Sequence, residues 1–267
     1  MNSLTDRVVR CIGRHFVSLS CVQHPPAPEV TRVHVFSGFV VEIMGEWFYM
    51  TAGHILKDLR TAMDAGSVFD EWRLGDQTAG NKFNNVPVPY DFQLEQWSVL
   101  EDESTGLDYA AVHLGGLFRQ QLEAGGVAPI TKQAWGDHIT QHDHWILAGI
   151  PRESISYDDT SNITAKFVMV PLLPTKPPPL PEQKAGNQFF AKLADGSEKV
   201  VSDIVGMSGG PIIMLWKVDN TWKYSIIGVQ SAWYPKGRII AACPFPSFAE
   251  ALEPVVEEAL TRLKHLN

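Results

Sequence analysis

The chain has 267 residues and a formal net charge of −8, with 45% hydrophobic and 19% charged residues, long enough for one large domain or two modest ones with real cores. Phosphate binding needs a clustered basic face; this acidic balance, with no lysine–arginine run longer than two residues, argues against nucleic acid as a partner. No stretch approaches the roughly 18 apolar residues of a membrane span. Asp6, Arg7, Arg10, Arg14 and His15 interrupt the first twenty residues, so neither a membrane nor a secretion signal is expected. Cys11, Cys21 and Cys243 are too few for a disulfide scaffold, and a cytoplasmic location follows as an expectation.

In chain order, VHVFSGFVVEI and EWFYMTAGHI are rich in β-branched and aromatic residues and flank Gly45, the pattern of a hairpin. Ile55, Leu59 and Ala62 or Met63 then have helical spacing, stopped by Gly66. LEQWSVL and DYAAVHLG predict strands on either side of the acidic loop Glu101 to Ser104, and residues 115 to 140 cross to a second strand-rich half. That half opens with HWILAGIP and ITAKFVMVPLL. PTKPPPLP cannot pair in a central strand and predicts an exposed, stiff connection. FFAKLADGSEKVV reads as a hairpin turning at Asp195 and Gly196, followed by strands PIIMLWKV, KYSIIGVQSAW and RIIAAC. From Ser247 an apolar stripe predicts an amphipathic helix, with Ser247 and Glu250 as a capping box and Pro254 as a kink.

GMSGGPI, residues 206–212, surrounds one serine with three glycines and a proline. A hydroxyl becomes a nucleophile only with a base in hydrogen-bond reach, an acid orienting that base, and donors for the oxyanion. Ser208 is the candidate nucleophile, and the N–H groups of Gly206 and Ser208 are the candidate oxyanion donors. His54, at the junction of a β-rich run and a short helix, is the candidate base; Asp108, opening an apolar strand, is the candidate orienting acid.

TAGH, DYAAVHL and GMSGGP, in that order, resemble the signatures of the chymotrypsin-like (trypsin-like) serine peptidases, and Gly149, Ile150 and Pro151 resemble a further family segment. The resemblance runs from about residue 33 to residue 266. It implies an all-β fold of two six-stranded antiparallel barrels with a C-terminal α-helix. Residues 1–120 would form the barrel with His54 and Asp108; residues 121–267 would form the barrel with Ser208 and the helix. It implies a serine endopeptidase working through an acyl-enzyme on protein or peptide substrates. Ser231, Ala232 and Trp233 match the segment that pairs with substrate backbone. Ser202, or Asp203 after a slip of one, falls at the base of the primary specificity pocket, and Trp233 at its mouth would narrow it toward small or medium apolar side chains.

Two departures matter. Ile55 stands where secreted members have a bridging cysteine, and Met207 replaces the acidic residue before the nucleophile. The resemblance is therefore to the disulfide-free intracellular or bacterial branch, without activation by a newly cut N-terminus; a regulatory partner or loop ordering is expected to control it. The runner-up reading is a catalytically inactive peptide-binding or scaffolding module on the same fold, and an esterase shares the same serine chemistry. His138, His142 and His144 with Asp137 and Asp143 lack a complete ligand pattern, so no metal and no cofactor is expected. The cysteines read as inert buried thiols.

Overall fold

The computed structural model describes residues 4–76, 87–102, 104–139, 144–157, 162–178 and 186–266. Helix α1 (Leu4–Gly13) comes first and buries Ile12. Strand β1 (Phe16–His24) is buried along all but its last residue and lies between two partners, so it has no wet face on which an alternating pattern would show. Strands β2 (Arg32–Ile43) and β3 (Glu46–Thr51) form the expected hairpin. Met44 and Gly45 occupy its turn at φ 53° and 85°, the left-handed pair that a two-residue hairpin turn requires. Helix α2 (Gly53–Asp64) buries Ile55, Leu56 and Leu59. Strands β4 (Val68–Asp76), β5 (Val88–Pro89), β6 (Ser98–Asp102) and β7 (Leu107–His113) follow; Glu103 of the acidic loop lies outside the described residues.

The crossing segment contains a helix the pattern did not announce, α3 (Gly116–Gly125), which buries only Leu122 among its large side chains, too few to write a stripe. The second half comprises β8 (His144–Gly149), the short pair β9 (Ser156–Tyr157) and β10 (Ile163–Thr164), then β11 (Val168–Thr175) and β12 (Phe189–Leu193). Strands β13 (Pro211–Val218), β14 (Thr221–Tyr234) and β15 (Ile239–Pro244) lead into helix α4 (Phe245–Leu266). Residues 179–181 of the proline-rich segment lie outside the described residues.

The second half closes as expected into a six-stranded barrel, β11-β12-β15-β14-β13-β8. The first differs: it is a seven-stranded sheet, β5-β4-β1-β2-β3-β7-β6, with no pairing between β5 and β6 among the described residues. Its terminal strand β5 has only two residues, a length that limits further pairing. The expected hairpin at Asp195–Gly196 is also corrected. Gly196, at φ 86°, leads into a 3-10 turn at Ser197–Lys199, and β12 pairs with β11 and β15 instead. Helix α4 begins at Phe245, so Ser247 lies inside its first turn rather than capping it, and the helix continues past Pro254. Among the described residues no helix is long and apolar enough to cross a membrane.

An apolar cluster joins the halves. Phe39 meets Phe245 edge-on at 5.8 Å, Tyr109 stacks on Phe248 at 4.6 Å, and the Tyr109 hydroxyl donates to the Pro244 carbonyl at 2.7 Å. The closest approach is at Gly209, which has φ 83°; a methyl group there would overlap Thr51 Oγ1 and lie 2.6 Å from the Ser37 carbonyl oxygen. Gly209→Ala is therefore expected to destabilise the protein by at least about 2 kcal/mol, from left-handed strain and overpacking together. Gly115→Ala, where a methyl would meet nothing within 4 Å, is expected to stay within about 0.5 kcal/mol. Denaturant unfolding of the two variants checks this, and equal stabilities would contradict the packing described.

Candidate active site

Strand β7 delivers Asp108 to the start of α2. Its carboxylate accepts two hydrogen bonds from one residue: the His54 backbone N–H at 2.8 Å on Oδ1 and the His54 ring Nδ1 at 2.7 Å on Oδ2. The first satisfies one of the unpaired donors in the helix's opening turn, where the backbone dipole favours a negative charge. The Asp108 side chain is only 10% exposed and the imidazole 33%. Burial would raise the Asp108 pKa, but the His54 ring, its charge, its backbone N–H and the Ser231 hydroxyl together hold the carboxyl below its usual 3.8. For His54, burial works to lower the pKa; the hydrogen bond and charge of Asp108, with Asp58 and Glu101 behind it, outweigh burial and leave the pKa above 6.5. This arrangement fixes the ring with Nδ1 toward the acid, and Nε2 has no partner among the described residues, which leaves it able to take a proton.

Ser208 sits on the tight turn before β13. Gly206 adopts φ 92°, where a Cβ would lie 2.9 Å from Arg152 N. The turn is braced by Met207 N–H on the Ile204 carbonyl at 3.0 Å, Gly209 N–H on Gln230 at 2.8 Å and Gly210 N–H on Met207 at 3.0 Å. The backbone N–H groups of Gly206 and Ser208 have no partner among the described residues, the condition for donors that must receive an oxyanion. Met207 is fully buried against Gly149, where a Cβ would lie 2.9 Å from its Cε; an apolar contact fills this position. Ser208 and His54 line one cavity, with no hydrogen bond between them among the described contacts.

Strand β14 carries an irregularity: Gln230 pairs with Ala242 and Ala232 with Ala241, leaving Ser231 as the extra residue. Such a bulge re-aims a side chain, and here Ser231 lines a space beside Asp108, its hydroxyl accepting from Gln188 Nε2 at 3.0 Å. Pairing with β13 ends at Val229 and Pro211, so beyond Gln230 this edge of β14 has no strand neighbour among the described residues.

Two cavities meet at His54. One of about 220 Å³ includes Asp108, Gln188, Ser231 and Ala232. The other, about 460 Å³, includes Arg32, His34, Phe36, Arg152, Gly206 and Ser208. Neither includes Ser202, Asp203 or Trp233. Ser202 is exposed and tied through its N–H (2.8 Å) and its hydroxyl to Glu153, while Asp203 accepts from Val205 N–H at 3.0 Å. Trp233 is partly buried against the barrel's apolar cluster. The structure thus brings together His54, Asp108, Ser208, Gly206, Ser231 and Ala232 and leaves Ser202, Asp203 and Trp233 outside the two cavities. Reading the sequence did not find Arg152, Gln188 or Asp58 in the cavity linings; only Arg152 had a local signal, directly after the Gly149–Pro151 segment. His138 stacks on Phe189 at 4.5 Å, and His144 tilts against Trp222; His142 and Asp143 lie outside the described residues.

The fold is that of the chymotrypsin-like proteases. It matches an inactivated protease paralogue of the scabies mite with a TM-score of 0.53 at 14% identity, over 94% of this chain and 96% of that one. A Glu endopeptidase gives a TM-score of 0.48 at 11% identity over 88% and 90% of the two chains. The active form of a protease from M. tuberculosis gives 0.46 at 12% identity over 93% and 84%. No family model matches the chain, and no curated protein matches it.

An NMR titration of the His54 ring is expected to give a midpoint above 6.5, because the neighbouring carboxylate favours the protonated form. Asp108→Asn removes that charge and is expected to lower the midpoint. A midpoint at or below 6.5 in the unaltered protein would contradict the electrostatics described.

Proposed function

We propose that the chain is a serine endopeptidase in which Ser208 attacks the scissile carbonyl, His54 takes its proton, and Asp108 holds the imidazole in the required tautomer. The observation that carries this reading is the Asp108–His54 pair, bonded at 2.7 and 2.8 Å, whose imidazole shares one cavity with a serine turn whose Gly206 and Ser208 N–H groups have no partner among the described residues. His54 Nε2 returns the proton to the leaving amine, and water then releases the acyl group by the same route in reverse. The unpaired edge of β14 at residues 231–233 holds the acyl-side backbone of an extended protein or peptide substrate by strand addition.

The rest of the reading follows from the same residues. We assign the two working halves to residues 1–120 and 121–267. The fully buried Met207 leaves no carboxylate at that position for a new N-terminus, so control by a regulatory partner or loop is part of the proposal. Three unpaired cysteines support a cytoplasmic protein of the disulfide-free bacterial branch. No metal or cofactor takes part in the proposed steps.

A second reading has its own support. Among the described contacts Ser208 makes no hydrogen bond to His54, and the scabies mite protein is described as inactivated, which favours a peptide-binding module that has lost turnover. Against it, hydrogen bonds between nucleophile and base are often long before substrate binds.

A fluorophosphonate reagent separates the two. Labelling of the unaltered protein at Ser208, absent from Ser208→Ala and from His54→Ala, is the expected result, with peptide hydrolysis falling by roughly 10⁴-fold or more in Ser208→Ala. A folded protein that binds peptides and is never labelled would establish the binding module instead.

A further inference from the structure

We propose that the larger cavity is a leaving-side subsite for a carboxylate, with Arg152 as its receptor, Arg32 at the same end and His34 forming part of the wall beside them. The proposal rests on the peptidase reading, because residues 231–233 define the acyl side and thereby make the opposite side of His54 the leaving side.

The position of the charges supports it. Among the described residues this lining holds one carboxylate, Asp58, which also lines the smaller cavity and so belongs to the boundary at His54. Arg32, His34 and Arg152 line the larger cavity alone. Arg32 donates to Glu29 at 2.6 Å on the exposed side, which engages part of its charge. Arg152 makes no ion pair among the described residues. Its backbone is held behind the serine turn by its N–H on the Val205 carbonyl at 2.7 Å, and a 3-10 turn at Arg152–Ser154 follows. The backbone of Arg152 is therefore held against the turn that carries Gly206 and Ser208, and its side chain lines the same cavity as theirs.

His34 reports the field at this end of the cavity. Its Nε2 bonds Gln23 Oε1 at 2.8 Å, and its ring stacks on Phe36 at 5.7 Å. Burial lowers its pKa first, and the charges of Arg152 and Arg32 lower it further with no carboxylate opposing them. An imidazole whose charged form is disfavoured, a flat apolar wall at Phe36 and a guanidinium with no acid partner among the described residues suit a carboxylate carried on a short aliphatic stem. An Asp or Glu side chain in the first two residues after the cut, or the free C-terminus of a short leaving segment, supplies that chemistry.

The test begins with a peptide library digested by the protein and read by mass spectrometry. Asp or Glu, or a chain end, is expected to be enriched within two positions after the cut. Matched peptides carrying Glu, Gln or Lys there, each made as the acid and the amide, separate a side-chain carboxylate from a terminal one. The acidic member is expected to be favoured roughly fivefold in kcat/KM, a partly screened charge-assisted bond. That preference should shrink at high salt, vanish in Arg152→Gln and turn toward Lys in Arg152→Glu. Equal cleavage of the Glu, Gln and Lys peptides by the unaltered protein would overturn the proposal.

If no peptide is cut and no fluorophosphonate label is taken up, it is the peptidase reading that fails, and the subsite is then read by binding. Ala-Glu-Ala amide, Ala-Gln-Ala acid and Ala-Gln-Ala amide are titrated into Ser208→Ala while the Arg152 Nε–H resonance is followed by NMR. A shift with either carboxylate peptide and none with the neutral one upholds the subsite; identical responses to all three overturn it.

Discussion

At one point of contact between the two halves of this molecule no side chain fits. Gly209 lies against Thr51, Ala52 and the Ser37 carbonyl, so the turn carrying Ser208 rests directly on the backbone that leads into His54. Ser37 ties the same contact from the other direction: its hydroxyl accepts from Ile150 N–H at 2.9 Å and donates to the Gly206 carbonyl at 3.3 Å, while its own carbonyl accepts from Thr51 Oγ1 at 2.8 Å. Ser37 and Thr51 are both fully buried, and these bonds satisfy groups that burial would otherwise penalise. The Ser208 turn of one half and the backbone leading into His54 in the other are held in register at this seam, where a glycine packs directly on Thr51, Ala52 and Ser37.

Electrostatics at the seam follow from burial. Asp108 is taken out of water, which disfavours its charge, yet the first turn of α2, the His54 ring and Ser231 compensate from three directions. The Tyr109 hydroxyl on Pro244 and the Cys243 thiol on the Gly106 carbonyl at 3.2 Å close the space behind it. Burial pushes that thiol up to about 12, so Cys243 packs beneath the acid as an apolar filler. The pair is dry on one side and open on the other, and His54 divides the open side into two cavities of unequal size and opposite character.

Much of this was legible in the one-dimensional pattern. Helix α2 and the terminal helix carry an apolar stripe, the β2–β3 hairpin carries its glycine turn, and strands β13 to β15, largely buried on both faces, are marked by runs of β-branched and aromatic residues. The elements that went unread have a different physical basis. Strand β1 is buried on both faces, α3 hides a single large side chain, and the turn after β12 becomes a 3-10 turn where a hairpin pattern was present. For β1 and α3 the local signal is weak; at the turn after β12, pairing of that strand with β11 and β15 overrode it.

For the site, the sequence by itself determined the chemistry available: a serine among glycines, a histidine at a strand–helix junction, and an aspartate opening an apolar strand, in that chain context. It also determined that Met207 would offer no charge. Only the tertiary structure decided which groups share space. Ser231, at a bulge, lines one cavity with Asp108, Ser202 is drawn out to Glu153, Trp233 packs into the barrel cluster, and Arg152 lines a cavity with residues more than a hundred positions away. Those outcomes depend on register and on long-range contacts, whose energies are set by how two sheets meet and not by the identity of neighbours along the chain.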